Sequence, residues 1–568
     1  MLSSFNRLIL FSLFISQVLA QSYAPIRFSL KSTTSDSFFQ GGLSSNIVAE
    51  IRLLGDSLTW LGTGQGLAFH DGHQVYAHKT RSDSLINNTF TKLVPAGGIP
   101  AISVDGEKIA VAYSGDNGSI QVGYGLTFAN LTNYNDSLGI DWTYLQQPID
   151  DSENDTIVKP FGEGFFRMLP VTVREANVTY DTYLSEDTLW TASWAGGLRR
   201  YIINGAYWEN VPMPMDNQDS LSTCDGFVED DVGRLVMPGY YLNPRDPGDG
   251  GNHNHKAFSV LLIKDSDPTT VDTIWVGTAD GINRGEIIRE IEQGAGPGGT
   301  DKITRCIEWV HYSFPEDGLS GNFVVGLAKQ SWNNRNTIWA ATMNADSQGE
   351  IRGLSYTRDG GITWKNTLLG ERIYNVFAQD SLVLASSQSG LWKSFDGVNW
   401  AIFNPAIDRT YLSQSQVLTD IVYTSVLDQR DTTELLWIGT SDGLAYSTDL
   451  NGDDWTIFQT EYDATEFYAY PNPFSPYNHN QLGQEGYVRF HTGTIATREL
   501  KLEIFNFAME KVYDKIYNLD SYNGAIKWNG RDLNGNHVSN GIYFIKMHYS
   551  QSANKSPQDY WDKLIVVK

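Results

Sequence analysis

The feature that most constrains this chain of 568 residues is a short segment that recurs along it. Its pattern is an apolar residue, Trp, an apolar residue, Gly, Thr, two variable residues, Gly and an apolar residue. Clear copies contain Trp60, Trp275 and Trp437. Self-similarity of this kind indicates repeated structural units that pack against one another.

Four weaker copies lie between the clear ones and bring the number of units to seven. The weaker copies occupy 109–126, 189–198, 338–354 and 382–391. A second element, Gly-Leu-Ser-x-Asn-apolar-Val, precedes two of the units, at 42–48 and at 318–324. An apolar strand, a polar turn and the tryptophan strand follow it in both places, so the two elements repeat together.

Each unit combines a strand, a turn that contains glycine and another strand, with alternating apolar positions. Units of this kind at intervals of roughly 44 to 85 residues are typical of β-propeller blades. Small residues let strands approach near the central axis, while Trp and Leu fill the space between sheets. The sequence therefore predicts an all-β fold with a seven-bladed β-propeller; an eighth, degenerate blade near Val232–Met237 is the alternative.

The repeat resembles the two-component-regulator propeller repeat over about residues 40–460. Turns at 356–364, 394–400 and 447–455 resemble the Asp-box turns of sialidases and related propeller hydrolases. In such a turn the Asp and a hydroxyl bond backbone amides across a hairpin while a Trp covers the edge of the blade. Both resemblances imply architecture and name no ligand, because a fold does not assign a function.

Excess residues between the units fall at about 143–186, 208–260 and 284–310 and predict long insertions. Because function often resides in loops on a rigid scaffold, the first two insertions are the predicted recognition face. Aromatic side chains there would stack on sugar rings, although core packing is the more common fate of such residues. The candidates for a ligand face are Trp194, Tyr207, Trp208, Tyr240 and Tyr241.

A second domain is predicted after the propeller. The proline-rich segment 470–476 is extended and unsuited to a central strand, and short alternating strands follow it. These strands are predicted at 487–491, 500–507, 511–517, 525–528, 541–548 and 563–568. About 100 residues with this many short strands indicate a small immunoglobulin-like β-sandwich.

This region resembles the type A C-terminal sorting domain of the bacterial type IX secretion system, and is similar to the immunoglobulin-like domain of flagellar-hook capping proteins. A Trp-Asn-Gly-Arg-Asp-Leu-Asn-Gly segment at 528–535 supports the resemblance. The other residues that carry it are Tyr470, Pro471, Asn472, Pro473, Phe474, Gly541, Tyr543, Lys563 and Lys568. The resemblance implies passage through the outer membrane by the type IX machinery, with removal of the domain; a sandwich that stays attached is the alternative.

The first residues have the pattern of a signal peptide. Arg7 precedes the apolar run 8–18, and small residues before Ala20 predict cleavage between Ala20 and Gln21. No later run is long and apolar enough to span a bilayer. We therefore expect residues 1–20 to be a signal peptide, 21–463 the propeller and 464–568 the sorting domain of a protein at the cell surface or outside the cell.

Composition and the remaining motifs narrow the range of possible ligands and cofactors. The net charge of −25 disfavours binding to nucleic acid. Cys224 and Cys306 form either one disulfide or two buried thiols. The metal-like group Asp249, His253 and His255 lacks a fourth ligand, and acid clusters such as 150–155 lack EF-hand spacing. We expect no cofactor, with calcium as the alternative.

No catalytic set is identifiable, because Gly-x-Ser-x-Gly, His-Glu-x-x-His and Cys-x-x-Cys do not occur. The sequence therefore favours a binding or adhesion module, with polysaccharide or surface proteins as partners, over an enzyme. The alternative is a carbohydrate-active hydrolase or lyase. Carboxylates clustered in the central funnel of the propeller would favour that alternative.

Overall fold

The protein is described by a computed structural model, and its regular structure is almost entirely β-strand. The described residues are 38–81, 90–118, 120–132, 139–150, 156–264, 271–292, 302–345, 348–404, 406–410, 413–430, 433–460, 467–493, 495, 498–552 and 554–568. The predicted cleavage site at Ala20 and Gln21 lies outside them. No helix in this described part is long and apolar enough to cross a membrane.

The first two blades are five-stranded antiparallel sheets, and a short parallel pair lies between them. Blade 1 consists of β1 (Phe39–Gly41), β2 (Val48–Leu54), β3 (Leu58–Thr63), β4 (Gly66–His70) and β5 (Val75–His78). The short pair is β6 (Thr80–Arg81) and β8 (Val94–Pro95), and between them β7 (Phe90–Thr91) joins blade 2. Blade 2 continues with β9 (Gly98–Asp105), β10 (Lys108–Asp116), β11 (Gln121–Asn130) and β12 (Trp142–Leu145).

A four-stranded mixed sheet is built from the segments before and after blade 3. The mixed sheet contains β13 (Ile157–Phe161), β14 (Gly164–Met168), β20 (Val228–Glu229) and β21 (Leu235–Leu242). Blade 3 contains β15 (Thr179–Ser185), β16 (Thr188–Ser193), β17 (Gly197–Ile202) and β18 (Tyr207–Asn210). Blade 4 contains β19 (Ser220–Ser222), β22 (Ala257–Ile263), β23 (Asp272–Thr278), β24 (Gly281–Glu292) and β25 (Lys302–Tyr312), and a short 3₁₀ helix spans Pro247–Asp249.

Blades 5 to 7 are regular four-stranded antiparallel sheets. Blade 5 has β26 (Phe323–Trp332), β27 (Arg335–Met343), β28 (Gly353–Thr357) and β29 (Lys365–Thr367). Blade 6 has β30 (Ile373–Gln379), β31 (Leu382–Ser387), β32 (Leu391–Ser394) and β33 (Ala401–Ile402). Blade 7 has β34 (Val422–Asp428), β35 (Leu435–Thr440), β36 (Gly443–Ser447) and β37 (Thr456–Phe458).

The innermost strands close a ring of seven blades. Their order around the channel is β2, β9, β15, β22, β26, β30 and β34, and β34 packs against β2 again. The segment Val232–Met237, the alternative eighth blade, lies outside this ring and enters β21 of the mixed sheet. The fold is therefore a seven-bladed β-propeller, as the repeat predicts.

The glycine of the Trp-x-Gly-Thr unit is explained by close packing between blades. A Cβ atom at Gly277 would lie 2.6 Å from the carbonyl oxygen of Val324, in the first strand of the next blade. Gly439 has the same relation to Val48, at 2.6 Å, across the point where the ring closes. Only a residue without a side chain allows this approach in blades 4 and 7. Small residues occupy the equivalent position of other blades, namely Ala112, Ala192, Ala341 and Ser386.

The second glycine of the unit is fixed by its backbone angle. Gly281 and Gly443 have φ values of 100° and 122°, in a region that strongly favours glycine. The preceding threonine holds the turn, because the hydroxyl of Thr440 donates to the carbonyl of Gly443 at 2.8 Å. The hydroxyl of Thr278 makes the same contact with Gly281, at 3.1 Å.

The Gly-Leu-Ser-x-Asn element connects each of its blades to the previous one. The carbonyl of Asn322 accepts from the amide of Gly281, and its side-chain oxygen accepts from the amide of Phe314, both at 2.7 Å. Asn46 repeats this pattern with Gly443 and Thr460, both at 2.6 Å. The contact that joins sequential blades 4 and 5 thus also joins blade 7 to blade 1 and closes the ring.

The turns at 356–364, 394–400 and 447–455 are held by hydrogen bonds between side chains and backbone amides. The hydroxyl of Thr357 accepts from the amide of Gly361 at 2.9 Å, and a carboxylate oxygen of Asp359 accepts from the amide of Thr363 at 2.9 Å. The following Trp364 is 8% exposed and packs between blades. These turns therefore hold the outer edges of blades 5 to 7.

The C-terminal residues form a separate β-sandwich with its own apolar core. One sheet contains β38 (Tyr468–Tyr470), β41 (Val488–His491) and β44 (Lys527–Trp528), with the hairpin β39 (Gln481–Leu482) and β40 (Glu485–Gly486) beside it. The other contains β42 (Glu499–Phe505), β43 (Lys511–Asn518), β45 (Gly541–Tyr549) and β46 (Gln558–Val566). The last strand begins at Gln558, five residues before the predicted start, because 558–566 pairs fully with β45.

Candidate ligand-binding site

Both faces of the propeller are defined by chain direction. The connections between blades and the turns between second and third strands share one face, which we call the connection face. The insertions at 146–178 and 211–256 are connections of this kind, and so they lie on this face. The third excess segment, about 284–310, was predicted as an insertion and is instead the long hairpin of β24 and β25.

The innermost strands share a β-bulge near their connection-face end. The register shifts after Val48, Thr179, Ala257, Val324, Ile373 and Val422, each the first or second residue of its strand. In four of these strands the extra residue is aromatic, namely Tyr180, Phe258, Tyr374 and Tyr423. A bulge redirects side chains, and here it gathers aromatic rings at the mouth of the channel.

One group of rings, which we call the aromatic platform, joins blades 3, 4 and 5. Its members are Tyr180, Trp194, Phe258 and Phe323. The ring centroid of Phe258 lies 5.4 Å from Tyr180, 5.6 Å from Trp194 and 4.5 Å from Phe323. Tyr180, Trp194 and Phe323 remain half-buried, so each keeps some accessible surface at the mouth.

Trp194 is held in place by the second insertion. Its indole Nε1–H donates to a carboxylate oxygen of Asp246 at 2.9 Å, and the Nζ of Lys256 lies 5.7 Å from its ring centroid. Lys256 is fully buried, its Nζ donates to the carbonyl of Pro244, and burial lowers its pKa to about 8. The platform is therefore pre-organised by contacts that tie the insertion to blade 3.

A second group, which we call the tyrosine pair, lies on blades 6 and 7. Tyr374 and Tyr423 pack edge to face with their ring centroids 5.2 Å apart, and the guanidinium of Arg372 lies 5.4 Å from the ring of Tyr374. Burial raises the pKa of both tyrosines, so both hydroxyls stay protonated at neutral pH. The pair and two members of the platform, Tyr180 and Phe258, occupy equivalent bulge positions on different blades.

Two carboxylates follow the bulges directly, Glu50 in β2 and Asp181 in β15. Glu50 pairs with Arg52 at 2.7 Å, and its side chain is 13% exposed. Burial raises the pKa of Glu50 to about 7, with Arg52 opposing the shift and Asp181 adding to it. Burial likewise raises the pKa of Asp181 to about 6. Arg52 opposes both shifts.

Asp181 is bound by backbone amides rather than left open for chemistry. Its carboxylate accepts from the amide of Val260 in the next blade at 2.9 Å and from that of Thr182 at 2.8 Å. The residues at equivalent positions in other blades also link neighbours, because Ser259 donates to the carbonyl of Val324 and Asn375 to the hydroxyl of Thr424. Asp181 therefore joins blades 3 and 4.

The five aromatic candidates from the sequence are not brought together. Trp194 joins the platform, whereas Tyr207 and Trp208 lie on β18, at the outer edge of blade 3. Tyr241 is 39% exposed on the mixed sheet. Tyr240 is 3% exposed in the core and its hydroxyl donates to the carbonyl of Met213 at 2.7 Å, so it is not part of a ligand face.

Sequence reasoning missed Tyr180, Tyr374, Tyr423 and Phe323. Each stands at the start of the strand that precedes a copy of the repeat. An alignment of the units on their Gly-Thr or equivalent positions would have placed Tyr180 and Tyr374 in one column, whereas the longer turn after β34 shifts Tyr423 out of it. The sequence-based search instead looked for aromatics in the insertions, away from the strands that line the channel.

The metal-like group in the second insertion does not form a site. His255 is 3% exposed, its Nε2 lies 2.8 Å from the carbonyl of Ala195, and burial lowers its pKa to about 3. The amide of His253 donates to Asp216, and Asp249 ends the 3₁₀ helix. Among the residues that the structure describes, no cluster of three or more His, Cys, Asp or Glu side chains suits a metal ion.

Cys224 and Cys306 form a disulfide with Cα atoms 5.0 Å apart. Cys306 lies in β25 and Cys224 in the second insertion, close to the hydrogen bond from the hydroxyl of Thr223 to the carbonyl of Ile307. The bridge therefore fastens the insertion to the outer strands of blade 4. It resolves the alternative between a bridge and two thiols.

The motif residues of the C-terminal domain converge on its last strand. The side chain of Asn472 donates to the carbonyl of Lys563 at 2.7 Å and accepts from the amide of Ile565 at 3.0 Å. Phe474 is fully buried, and its amide donates to the carbonyl of Ile565 at 2.7 Å. Cis peptide bonds precede Pro471 and Pro473.

The remaining motif residues surround the same strand. Tyr543 is 6% exposed, packs 6.0 Å from Trp528 and donates its hydroxyl proton to the carbonyl of Ser539 at 2.8 Å. Gly541 begins β45, the partner of β46. The amide of Lys568 donates to the side chain of Asn540 at 2.9 Å. Residues from both ends of the domain therefore build one structural unit.

The sandwich contacts the propeller at blade 7, on the connection face. Arg489 forms an ion pair with Asp442, a buried residue in the turn between β35 and β36. The side-chain oxygen of Gln416 accepts from the Nζ of Lys527 at 2.7 Å, and the carbonyl of Gln481 accepts from the amide of Asp420 at 2.7 Å. The sandwich thus lies beside the channel mouth.

Comparisons with known proteins yield distant structural likenesses only. No protein-family model matches the sequence, and a comparison with curated proteins found no match. PorZ, an essential bacterial surface component of the type-IX secretion system of Porphyromonas gingivalis, is 13% identical with a TM-score of 0.27; 92% of this chain and 66% of that chain are covered.

Two further solved structures are of the same kind. The GH74 enzyme of Niastella koreensis is 11% identical with a TM-score of 0.41, over 92% of this chain and 73% of that chain. YCF48 from Cyanidioschyzon merolae is 12% identical with a TM-score of 0.36, over 74% and 99% of the two chains. At this similarity the neighbours assign no function, and the propeller class follows from the sheets described above.

Proposed function

We propose that this chain is a bacterial protein of the cell surface or the extracellular medium whose propeller is a binding module. The observation that carries the proposal is the difference between the aromatic and the acidic groups of the channel. The aromatic side chains at the mouth are pre-organised and keep accessible surface, as a recognition site requires. The carboxylate of Asp181 is engaged by two backbone amides and links blades.

The experiment is a binding screen of the purified mature chain, residues 21–568, against immobilised polysaccharides and cell-surface proteins. Product analysis by mass spectrometry runs in parallel on every polysaccharide. Binding without bond cleavage is the expected result. Cleavage of a bound polysaccharide would show that the propeller is an enzyme rather than a binding module. Absence of binding to every surface would refute the proposal.

A second candidate function is hydrolysis or elimination on a polysaccharide, favoured by one observation. Glu50 and Asp181 are a pair of channel carboxylates with pKa values raised to about 7 and about 6. A raised pKa suits a general acid. If Glu50 is that acid, Glu50→Gln would lower turnover by about 10²-fold or more, the usual contribution of a general acid. If Glu50 is structural, the same change would leave binding unchanged.

We further propose that the C-terminal sandwich is the export signal, recognised by the type IX machinery. The convergence of Asn472, Phe474 and the last strand supports this, because it gives the terminal segment one defined shape. Deleting residues 467–568 in a bacterium with this secretion system should retain the protein in the periplasm. Lys555→Ala, a change at an exposed residue of the same domain, is the matched control. Surface delivery of the truncated chain would exclude the role.

A further inference from the structure

The channel mouth contains three tyrosine hydroxyls that the protein does not use. They belong to Tyr180, Tyr374 and Tyr423, on the first strands of blades 3, 6 and 7. Within the described part of the chain, none of these hydroxyls forms a hydrogen bond with the protein. Tyr423 is nevertheless only 9% exposed.

Several core tyrosines elsewhere in the chain use their hydroxyls, although those of Tyr201 and Tyr356, 7% and 6% exposed, form no hydrogen bond within the described residues either. The hydroxyl of Tyr113 bonds that of Thr127 at 2.8 Å, and the hydroxyl of Tyr144 donates to the carbonyl of Tyr124 at 2.8 Å. Buried polar groups are nearly always hydrogen-bonded, because an unmade bond is costly in a low-dielectric environment. Unused hydroxyls at a channel mouth are therefore available to water or to the hydroxyls of a ligand.

The aromatic platform offers the second half of such a site. Trp194 and Phe323 are half-buried and lie 6.3 Å apart in a stacked arrangement. The carboxylate of Asp246 and the contact with Phe258 fix the orientation of the indole before any ligand arrives. A fixed aromatic surface lowers the entropic cost of binding, which favours flat, weakly polar faces such as those of a pyranose ring.

The charges around the mouth decide between neutral and acidic ligands. Asp246 acts on Tyr180, and Glu50 and Asp181 follow the bulges. Burial raises the pKa of Asp280, in the adjacent turn of blade 4, to about 7, and acidic neighbours add to the shift. Arg372 and Arg352 act on Tyr374 at the tyrosine pair, whereas these carboxylates lie on other blades. With a net charge of −25 on the whole chain, the acidic side of the mouth disfavours uronic acids and sulfated sugars.

We propose that the channel mouth binds a neutral glycan, with sugar rings on the platform of Trp194 and Phe323 and sugar hydroxyls bonded by Tyr180, Tyr374 and Tyr423. This inference rests on the proposed binding function and assigns its site and its class of ligand. The indole and the tyrosine hydroxyls bind different parts of the ligand, so each contributes independently.

The test is titration calorimetry of the full mature chain with defined hexasaccharides. The neutral probes are β-1,4-glucan, β-1,4-mannan, β-1,4-xylan and α-1,4-glucan chains, and polygalacturonate of equal length is the charged counterpart. At least one neutral probe should bind, and the uronate should not bind at the same ionic strength. Tighter binding of the uronate than of every neutral probe would overturn the charge argument.

Variants then locate the site. Tyr374→Phe and Tyr423→Phe should each weaken binding of the neutral probe about fivefold, the worth of one hydrogen bond. Trp194→Ala should weaken it by about tenfold or more. Tyr207→Phe, on the outer strand of blade 3, is the matched control and should leave binding unchanged. The conservative Tyr→Phe changes keep the test valid if Trp194→Ala fails to fold.

The outcomes separate the inference from the binding function. Neutral-glycan binding that is unchanged in Tyr374→Phe, Tyr423→Phe and Trp194→Ala would place the site elsewhere and overturn the inference alone. Binding to protein surfaces without any binding to the neutral probes would also overturn it and leave a binding module. Binding to neither class of surface would refute both.

Discussion

Replacing Arg430 with alanine should loosen the closure of the propeller more than any comparable change at its surface. Blade 7 and blade 1 exchange no strand, so packing and hydrogen bonds between their loops and side chains close the ring. Arg430 lies in the turn after β34 and reaches the turn between β2 and β3 of blade 1. Its guanidinium donates to the carbonyls of Leu54 (3.0 Å), Gly55 (3.2 Å) and Leu58 (2.7 Å) and to the hydroxyl of Thr59 (3.0 Å).

The magnitude follows from the surroundings of this side chain. Arg430 also pairs with Asp428 at 2.7 Å, and the two side chains are only 19% and 10% exposed. A hydrogen bond from a charged donor contributes about 1.5–3 kcal/mol, and removing one partner of a buried ion pair costs about 3–5 kcal/mol. Water reaches part of this site and replaces some of the bonds. We therefore expect Arg430→Ala to lower the free energy of unfolding by about 3 kcal/mol.

The assay is urea unfolding followed by the fluorescence of buried tryptophans. Trp60 and Trp437, both 1% exposed, pack in the two blades that meet at the closure. Arg430→Lys keeps the charge without the planar fork and should lose about half as much. The control is Arg498→Ala, because Arg498 is 86% exposed and contacts Asp520 only at 3.8 Å. A loss for Arg430→Ala no larger than the loss for Arg498→Ala would refute the closure argument.

Three further predictions concern stability. Glu50→Gln should remove a pH dependence of the free energy of unfolding. The pKa of Glu50 rises from 4.5 to about 7 on folding, so the stability that its protonated form contributes is full below pH 4.5 and is lost as the pH rises through 7. Wild type should therefore lose about 3 kcal/mol relative to the variant between pH 4.5 and 8 in denaturant titrations. Replacing Cys224 and Cys306 with serine should cost about 2–4 kcal/mol, and a reductant should cause the same loss in wild type only. Gly277→Ala should cost about 1–3 kcal/mol of overpacking, measured as a lower unfolding midpoint, and a neutral result would disprove the close approach of Val324.

The repeat predicted the propeller because its constraints are local. Glycine at 277 and 439 reports a close backbone approach in blades 4 and 7, and the Gly-Leu-Ser-x-Asn element reports a connection between neighbouring blades. Asn46 makes with blade 7 the contact that Asn322 makes with blade 4. Units that make the same contact on both sides pack side by side, and the seven copies of the unit correspond to the seven blades of the ring.

The channel mouth was not predictable by the same means. The bulges that place Tyr180, Tyr374 and Tyr423 are offsets of one residue in strand pairing, and the sequence carries no distinct signal for such an offset. The hairpin of β24 and β25 illustrates a related difficulty. Excess residues between repeats predict a loop. Strands can instead lengthen when both sides of a hairpin can pair, as β24 and β25 do along their whole length.

The raised pKa values in this channel illustrate why the contacts of a carboxylate must be considered before its pKa is taken as a sign of catalysis. Raised carboxylate pKa values in a cleft are a common sign of catalysis, because desolvation prepares an acid for proton transfer. In this channel burial is the largest cause of both shifts, and Asp181 is bound by two amides while Ser259 and Asn375 make similar links at equivalent positions. A catalytic acid would differ from its structural equivalents around the ring. Asp181 matches them, which separates a contact between blades from chemistry at this residue and leaves Glu50 as the carboxylate on which the second candidate function depends.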